Sequence, residues 1–166
     1  MWWTSFVLAF AVTVAFGDLM DRKIPRVFTV GGFLAGLAYH LIYGGFFQAL
    51  LTAALGFALG LGLYELRAIG GGDVKLLAAL GAILGFHPWV LALEIAITAA
   101  GLMALVGIIR TGRLVQTFRN MGRLLKHFAS NGLRPHPEIQ VNNATLLRIP
   151  FGVAAGLGAV CTVFVK

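Results

Sequence analysis

Apolar residues run through this chain in blocks the length of a membrane span, and the short polar interruptions between them set its organisation. Residues 1–17 carry no charge and are apolar apart from Thr4, Ser5 and Thr13. No basic stretch precedes them and no convincing small-x-small cleavage pattern follows, so they read as a retained span rather than a signal peptide. Trp2 and Trp3 suit its interfacial end. The 38 residues 27–64 contain no Asp, Glu, Lys or Arg. A span needs about 20 residues, so this stretch divides in two. Tyr43-Gly44-Gly45 is the break, giving spans over 27–42 and 46–64, both seeded with glycines that let membrane helices approach closely. Apolar blocks at 76–86, 89–109 and 149–165 follow, with His87-Pro88-Trp89 turning between the first two. The pattern predicts an all-α polytopic membrane protein with six transmembrane helices in a single domain over 1–166.

One stretch has a different period. Between 111 and 131, Leu114, Phe118, Met121, Leu125 and Phe128 recur at steps of four and three, while Arg119, Arg123, Lys126 and His127 take the opposite side. That is a helical stripe with a charged back. It predicts an amphipathic helix lying on the cytoplasmic face, within a basic segment covering 111–147. Asn131-Gly132 stops it, and 133–147, with Pro135 and Pro137, reads as loop.

Composition agrees with the pattern and adds an orientation. The chain is 59% hydrophobic and 11% charged, with mean hydropathy +0.90, where a soluble domain carries roughly a quarter charged residues. Its net charge of +7 is unevenly placed: twelve of the 13 lysines and arginines fall in the loops after spans one, three and five, and the loops after spans two and four hold none. The positive-inside rule puts those basic loops in the cytoplasm and both termini outside, facing anionic lipid headgroups rather than nucleic acid. Cys161, the single cysteine, lies in an apolar run and reads as a small packed residue. His40, near the outer end of span two, reads as a packed or interfacial histidine. Glu94, about five residues into span five, reads as a packed or hydrogen-bonded acid in the outer half of the bilayer.

The chemistry concentrates at Ile69-Gly70-Gly71-Gly72-Asp73-Val74-Lys75. Glycines in a row permit positive φ and close approach, and a carboxylate in so apolar a chain is costly enough to mark a function. Asp18 and Asp21 in the first loop and Asp73 in the third come to the same membrane face, because the two spans between them fold as an antiparallel pair. Two carboxyls that meet share a proton and can activate a water between them, which is the chemistry of an aspartic peptidase. Asp21, beside Arg22 and Lys23, is as readily a charge that balances them; Asp18 closes an apolar span and is less easily explained that way. Lys75 is placed to hold Asp73 ionised, meet a substrate or contact lipid phosphate. A small transporter or proton-conducting protein also uses intramembrane acids and glycine-broken helices, but there the acids form a chain through the bilayer.

Three segments resemble the prepilin and preflagellin leader peptidases, membrane-embedded GxGD aspartic peptidases. Asp18-Leu19-Met20-Asp21-Arg22-Lys23-Ile24-Pro25 is similar to the family's first acidic motif, an Asp six residues before an Ile-Pro that opens the second span. Gly70-Gly71-Gly72-Asp73-Val74-Lys75 matches its GxGDxK motif, and Arg148-Ile149-Pro150-Phe151-Gly152 resembles the Pro-Phe-Gly signature that begins its last span. The resemblance implies that Asp18 and Asp73 are the catalytic pair, with Gly70, Gly71, Gly72, Lys75, Asp21 and Pro25 binding substrate or supporting the site, and with neither metal nor cofactor. The implied substrates are prepilin-like precursors, whether type IV pilins, Tad/Flp pilins or archaellins. Their short basic leader is removed at the cytoplasmic boundary of the cell (inner) membrane. Arg26 stands where many members have Asn or Asp after the Ile-Pro, which bears on substrate contacts. The sequence shows no N-terminal domain with paired CxxC motifs, so the resemblance implies a small form without methyltransferase activity.

Overall fold

The computed structural model describes residues 2–21, 25–140 and 149–165. Seven helices occupy most of them: α1 (Trp2–Asp21), α2 (Arg26–Tyr43), α3 (Phe46–Glu65), α4 (Gly71–Leu84), α5 (Phe86–Thr111), α6 (Leu114–Asn131) and α7 (Phe151–Phe164). No strand occurs among the described residues. Three of these helices, α1, α3 and α5, are long and apolar enough to cross a membrane. α4 and α7 have only 14 residues each, which at 1.5 Å per residue is about 21 Å. Each predicted apolar block is thus helical, but not every one has the length of a span.

The boundaries shift where glycine and proline punctuate the chain. Gly44 and Gly45 both take positive φ, 94° and 89°, and separate α2 from α3 at the expected break. The turn expected at His87-Pro88-Trp89 lies earlier, at Gly85 with φ 72°. Those three residues fall in the first turn of α5, where the missing N–H of Pro88 is no loss to the helix. α1 does not stop at Gly17 but continues through Asp21, and α4 opens at Gly71. Asp18 and Asp73, expected in loops, are therefore helical residues.

α4 is the centre of the bundle. Val74 and the unbroken run from Leu76 to Ile83 are buried, as befits a helix that is apolar all round and has neighbours all round. α2 and α3 pack directly on it, while α7 joins α1 to α5. Small residues allow these approaches. A Cβ on Gly36 of α2 would lie 2.6 Å from the Ala82 backbone of α4, and one on Gly156 of α7 would lie 2.9 Å from the Ala11 carbonyl of α1. Trp89 ties α5 to α4 by donating its Nε1–H to the Leu77 carbonyl at 3.2 Å.

At one end of the bundle Trp3 stacks on Tyr39 with ring centroids 3.8 Å apart. His40 packs there as expected, its ring nitrogens 3.4 Å and 3.3 Å from the Gly44 and Ile83 carbonyls. This cluster gathers the start of α1, the end of α2 and the end of α4. The end of α1 and the start of α4 consequently lie at the opposite end, and the two acids lie with them.

α6 starts at Leu114, because Thr111 still belongs to α5 and Gly112 at φ 65° separates the two. None of its residues is buried, and Leu114, Val115, Phe118, Met121 and Leu125 are all exposed. Gly132, at φ 69°, follows its last residue as the Asn131-Gly132 pair predicts. The chain then folds back, with Arg123 3.9 Å from Glu138 and the rings of His127 and His136 4.9 Å apart. The remainder of the expected loop, 141–148, is outside the described residues. Glu94 corrects one expectation: α5 begins at Phe86, so Glu94 is about 12 Å into the helix, and it is exposed rather than packed.

Candidate active site

Asp18 is the continuation of an apolar stripe. On α1 the buried positions are Val7, Phe10, Ala11 and Val14, and the next position at helical spacing is Asp18, only 7% exposed. The period that seats α1 against its neighbours thus carries a carboxyl inward at the last step. Its Oδ2 accepts the backbone N–H of Gly152 at 2.6 Å. Gly152 lies in the first turn of α7, where an amide has no acceptor within its own helix.

Asp73 is the third residue of α4. Its Oδ2 accepts the N–H of Gly70, the residue that caps the helix, at 3.0 Å. This is half of a capping box; the other half is missing because Gly70 has no side chain to return the bond. The carboxyl is half-buried. Gly70 is extended, with φ −86° and ψ 159°, and neither it nor Gly71 takes positive φ. Backbone freedom is therefore not what these glycines supply. The left-handed position falls on Arg67, at φ 57°. There the Ala68 N–H donates to the Leu63 carbonyl at 3.0 Å and the Arg67 N–H to the Tyr64 carbonyl at 2.9 Å, the closure of α3 that usually places glycine at this point. A Cβ at Gly70 or Gly71 would make only ordinary contacts, 3.5 Å from Asp73 Oδ2 and 3.7 Å from the Tyr64 ring. What the glycines provide is a helix entrance with bare backbone. Gly72 follows as the second residue of α4.

The structure brings Asp18 and Asp73 close enough for the charge of one to act on the other. Each carboxyl also holds an amide at the start of a helix, α7 for Asp18 and α4 for Asp73, where the helix dipole favours negative charge. Lys75 is exposed and, two residues beyond Asp73 on the same helix, lies about 200° around the axis from it. Residues so spaced do not face each other, which removes the direct Lys75–Asp73 ion pair and leaves substrate or lipid phosphate. Pro25 is the exposed residue that precedes α2, with φ −59°. Asp21 ends α1; its side chain is outside what the structure describes. Gly152 is the site residue that reading the sequence for acids passed over. Its signal was the Pro150-Phe151-Gly152 motif, whose glycine is the point where Asp18 lands.

Both acids fall within residues 5–105, the stretch matched by the model of the type IV leader peptidase family. The chain belongs to that family. This leader peptidase family member is also similar to the prepilin leader peptidase/N-methyltransferase of Myxococcus xanthus (strain DK1622), 33% identical over 116 residues that make up 64% of this chain and 35% of the relative. It spans about a third of that relative's length. No solved structure matches. α6 and α7 follow the family match, so Gly152 lies outside the matched stretch and enters the site through its bond to Asp18.

Proposed function

We infer that this chain is a membrane-embedded aspartic endopeptidase that removes the short basic leader from prepilin-like precursors. The observation that carries the reading is the approach of Asp18 on α1 to Asp73 on α4 at one end of the bundle, each fixed by a backbone amide. In such a pair one carboxyl stays protonated beside its ionised partner. The ionised one takes a proton from water as the water oxygen attacks the scissile carbonyl, and the protonated one gives its proton to the carbonyl oxygen. Proton transfer to the amide nitrogen and collapse of the tetrahedral intermediate break the C–N bond. The products are a carboxylic acid and a free amine, and the dyad is restored.

The surrounding protein fits a substrate with a basic leader and a long apolar helix. The helix lies in the bilayer beside α1 to α5 and α7, the leader stays in the cytoplasm, and the scissile bond reaches the membrane boundary. The bare entrance at Gly70, Gly71 and Gly72 leaves room for an extended peptide, with Lys75, Asp21 and Pro25 around it. Six crossings put the basic loops in the cytoplasm of the cell (inner) membrane. α6 then lies in the headgroup layer, its exposed apolar residues toward the acyl chains and Arg119, Arg123 and Lys126 toward anionic lipid.

The test is Asp18→Asn and Asp73→Asn. Asparagine keeps the size and an oxygen that accepts the same amide, so both variants insert in the membrane. Cleavage of a prepilin falls by about 10²–10⁴-fold or more, the scale of lost proton transfer. Asp21→Asn is milder, and mass spectrometry places the cut just before the apolar segment. Substantial turnover by either Asp18→Asn or Asp73→Asn refutes the assignment.

A further inference from the structure

The bond from Gly152 to Asp18 joins the site to a helix that contributes no acid of its own. At 2.6 Å it is shorter than the usual N–H···O distance. It is buried, so losing it leaves a carboxyl oxygen with no water to replace the amide. The space at position 152 is equally restricted. A Cβ there would lie 2.7 Å from Asp18 Cβ, 3.0 Å from Cγ and 2.9 Å from Oδ2. Asp18 Cβ is fixed to the α1 backbone, so a methyl group at 152 either turns the carboxyl off its bond or drives α1 from α7. Gly152 does not take positive φ, so the need for glycine is one of space rather than of backbone conformation.

We propose that Gly152 is a positioning residue for the peptidase reaction: its amide holds Oδ2 of Asp18 and leaves Oδ1 to face the water. This rests on the assignment of Asp18 and Asp73 as the dyad. Water activation by two carboxyls tolerates misplacement of only about 0.5 Å, and a displacement of about 1 Å costs up to about 100-fold in rate. Packing of α7 against α1 alone does not give this role, because Gly156 makes the same kind of close approach one turn further along α7, to the Ala11 carbonyl rather than to the acid.

The experiment compares Gly152→Ala with Gly156→Ala in the full chain, purified in detergent, acting on a synthetic peptide with a basic leader and an apolar segment. Gly152→Ala lowers kcat about 100-fold with KM within about twofold of wild type. Gly156→Ala lowers the thermal midpoint but lowers kcat about tenfold less than Gly152→Ala does, because it strains the interface at Ala11, seven residues or about 10 Å from Asp18 along α1, rather than at the carboxyl itself. A Gly152→Ala enzyme with wild-type kcat, or an equal fall of kcat in both variants, overturns the role of Gly152. If Gly152→Ala does not insert, Asp18→Gly/Gly152→Ala removes the three atoms nearest the new methyl and restores insertion; failure to restore it overturns the contact. Wild-type protein that leaves the peptide uncut overturns the peptidase reading itself, whereas active Gly152→Ala beside inactive Asp18→Asn overturns only the inference drawn from the glycine.

Discussion

Replacing Gly56 by alanine tests whether α3 holds α4, and Asp73 with it, in register. A Cβ at 56 would lie 2.5 Å from the Leu77 carbonyl oxygen, 2.9 Å from its carbon and 3.2 Å from Trp89 Cζ2. The first two atoms belong to the α4 backbone and cannot rotate away. A carbon tolerates a carbonyl oxygen at about 3.3 Å, so the helices part by roughly 0.8 Å. Overpacking of this kind costs about 1–3 kcal/mol, and alanine recovers about 0.5–1 kcal/mol over glycine within a helix. The net loss of about 1–2 kcal/mol corresponds to a fall of about 2–8 °C in the thermal midpoint for a chain of this size. Leu77 is one turn, about 6 Å, from Asp73, so the displacement reaches the acid, and cleavage falls by up to about 100-fold. Gly62→Ala on the same helix is the control, since nothing lies within 4 Å of its Cβ position; it leaves cleavage unchanged and raises the midpoint slightly. The assay is thermal unfolding in one detergent together with prepilin cleavage. Equal midpoints and equal rates for the two variants refute the reasoning.

Cysteine labelling in a Cys161→Ala background checks the orientation. Thr117→Cys and Arg67→Cys react only with reagents that reach the cytoplasm, and Gly45→Cys and His87→Cys react from outside. Outside labelling of the Thr117 variant overturns it. Arg67→Gly relieves a left-handed residue, a strain of about 1–3 kcal/mol in the folded state, so the midpoint rises by a few degrees with cleavage unchanged. A lower midpoint shows instead that the guanidinium, not the backbone, holds the turn between α3 and α4.

The helices were legible because apolar blocks of this length admit few other structures, and the break at Gly44-Gly45 was legible because both residues take the φ that glycine permits. The ends of α1 and α4 were misread for a shared reason. Ending a span at its first charge put Asp18 in a loop, although the stripe of Val7, Phe10, Ala11 and Val14 runs on to it. Reading three glycines as loop hid that glycine serves at a helix start and that an acid three residues on can reach back to the capping amide. Arg67 could not have been foreseen at a left-handed position, since no local signal sets it apart from the glycines nearby. The exposure of Glu94 depends on where the neighbours of α5 stand, and periodicity within α5 does not carry that. Gly152 meets Asp18 across 134 residues of sequence, a separation that only the Pro-Phe-Gly resemblance hinted at.

The 14-residue length of α4 and α7 also bears on how deep the site lies in the proposed bilayer. Against a hydrocarbon core about 30 Å thick, each leaves about 9 Å uncovered. The far end of α4 is held at the aromatic cluster through His40 and the Ile83 carbonyl, so the deficit falls where α4 opens at Gly71. α4 is packed among α2, α3, α5 and α7, so the missing length opens a recess within the bundle rather than a thinned bilayer, and water enters it from that end. In the arrangement proposed here the two acids then lie at the floor of that recess, wet from above yet level with acyl chains farther out. The end of a substrate helix that enters the recess leaves its hydrocarbon cover there and frays into the extended form that a peptidase can grip.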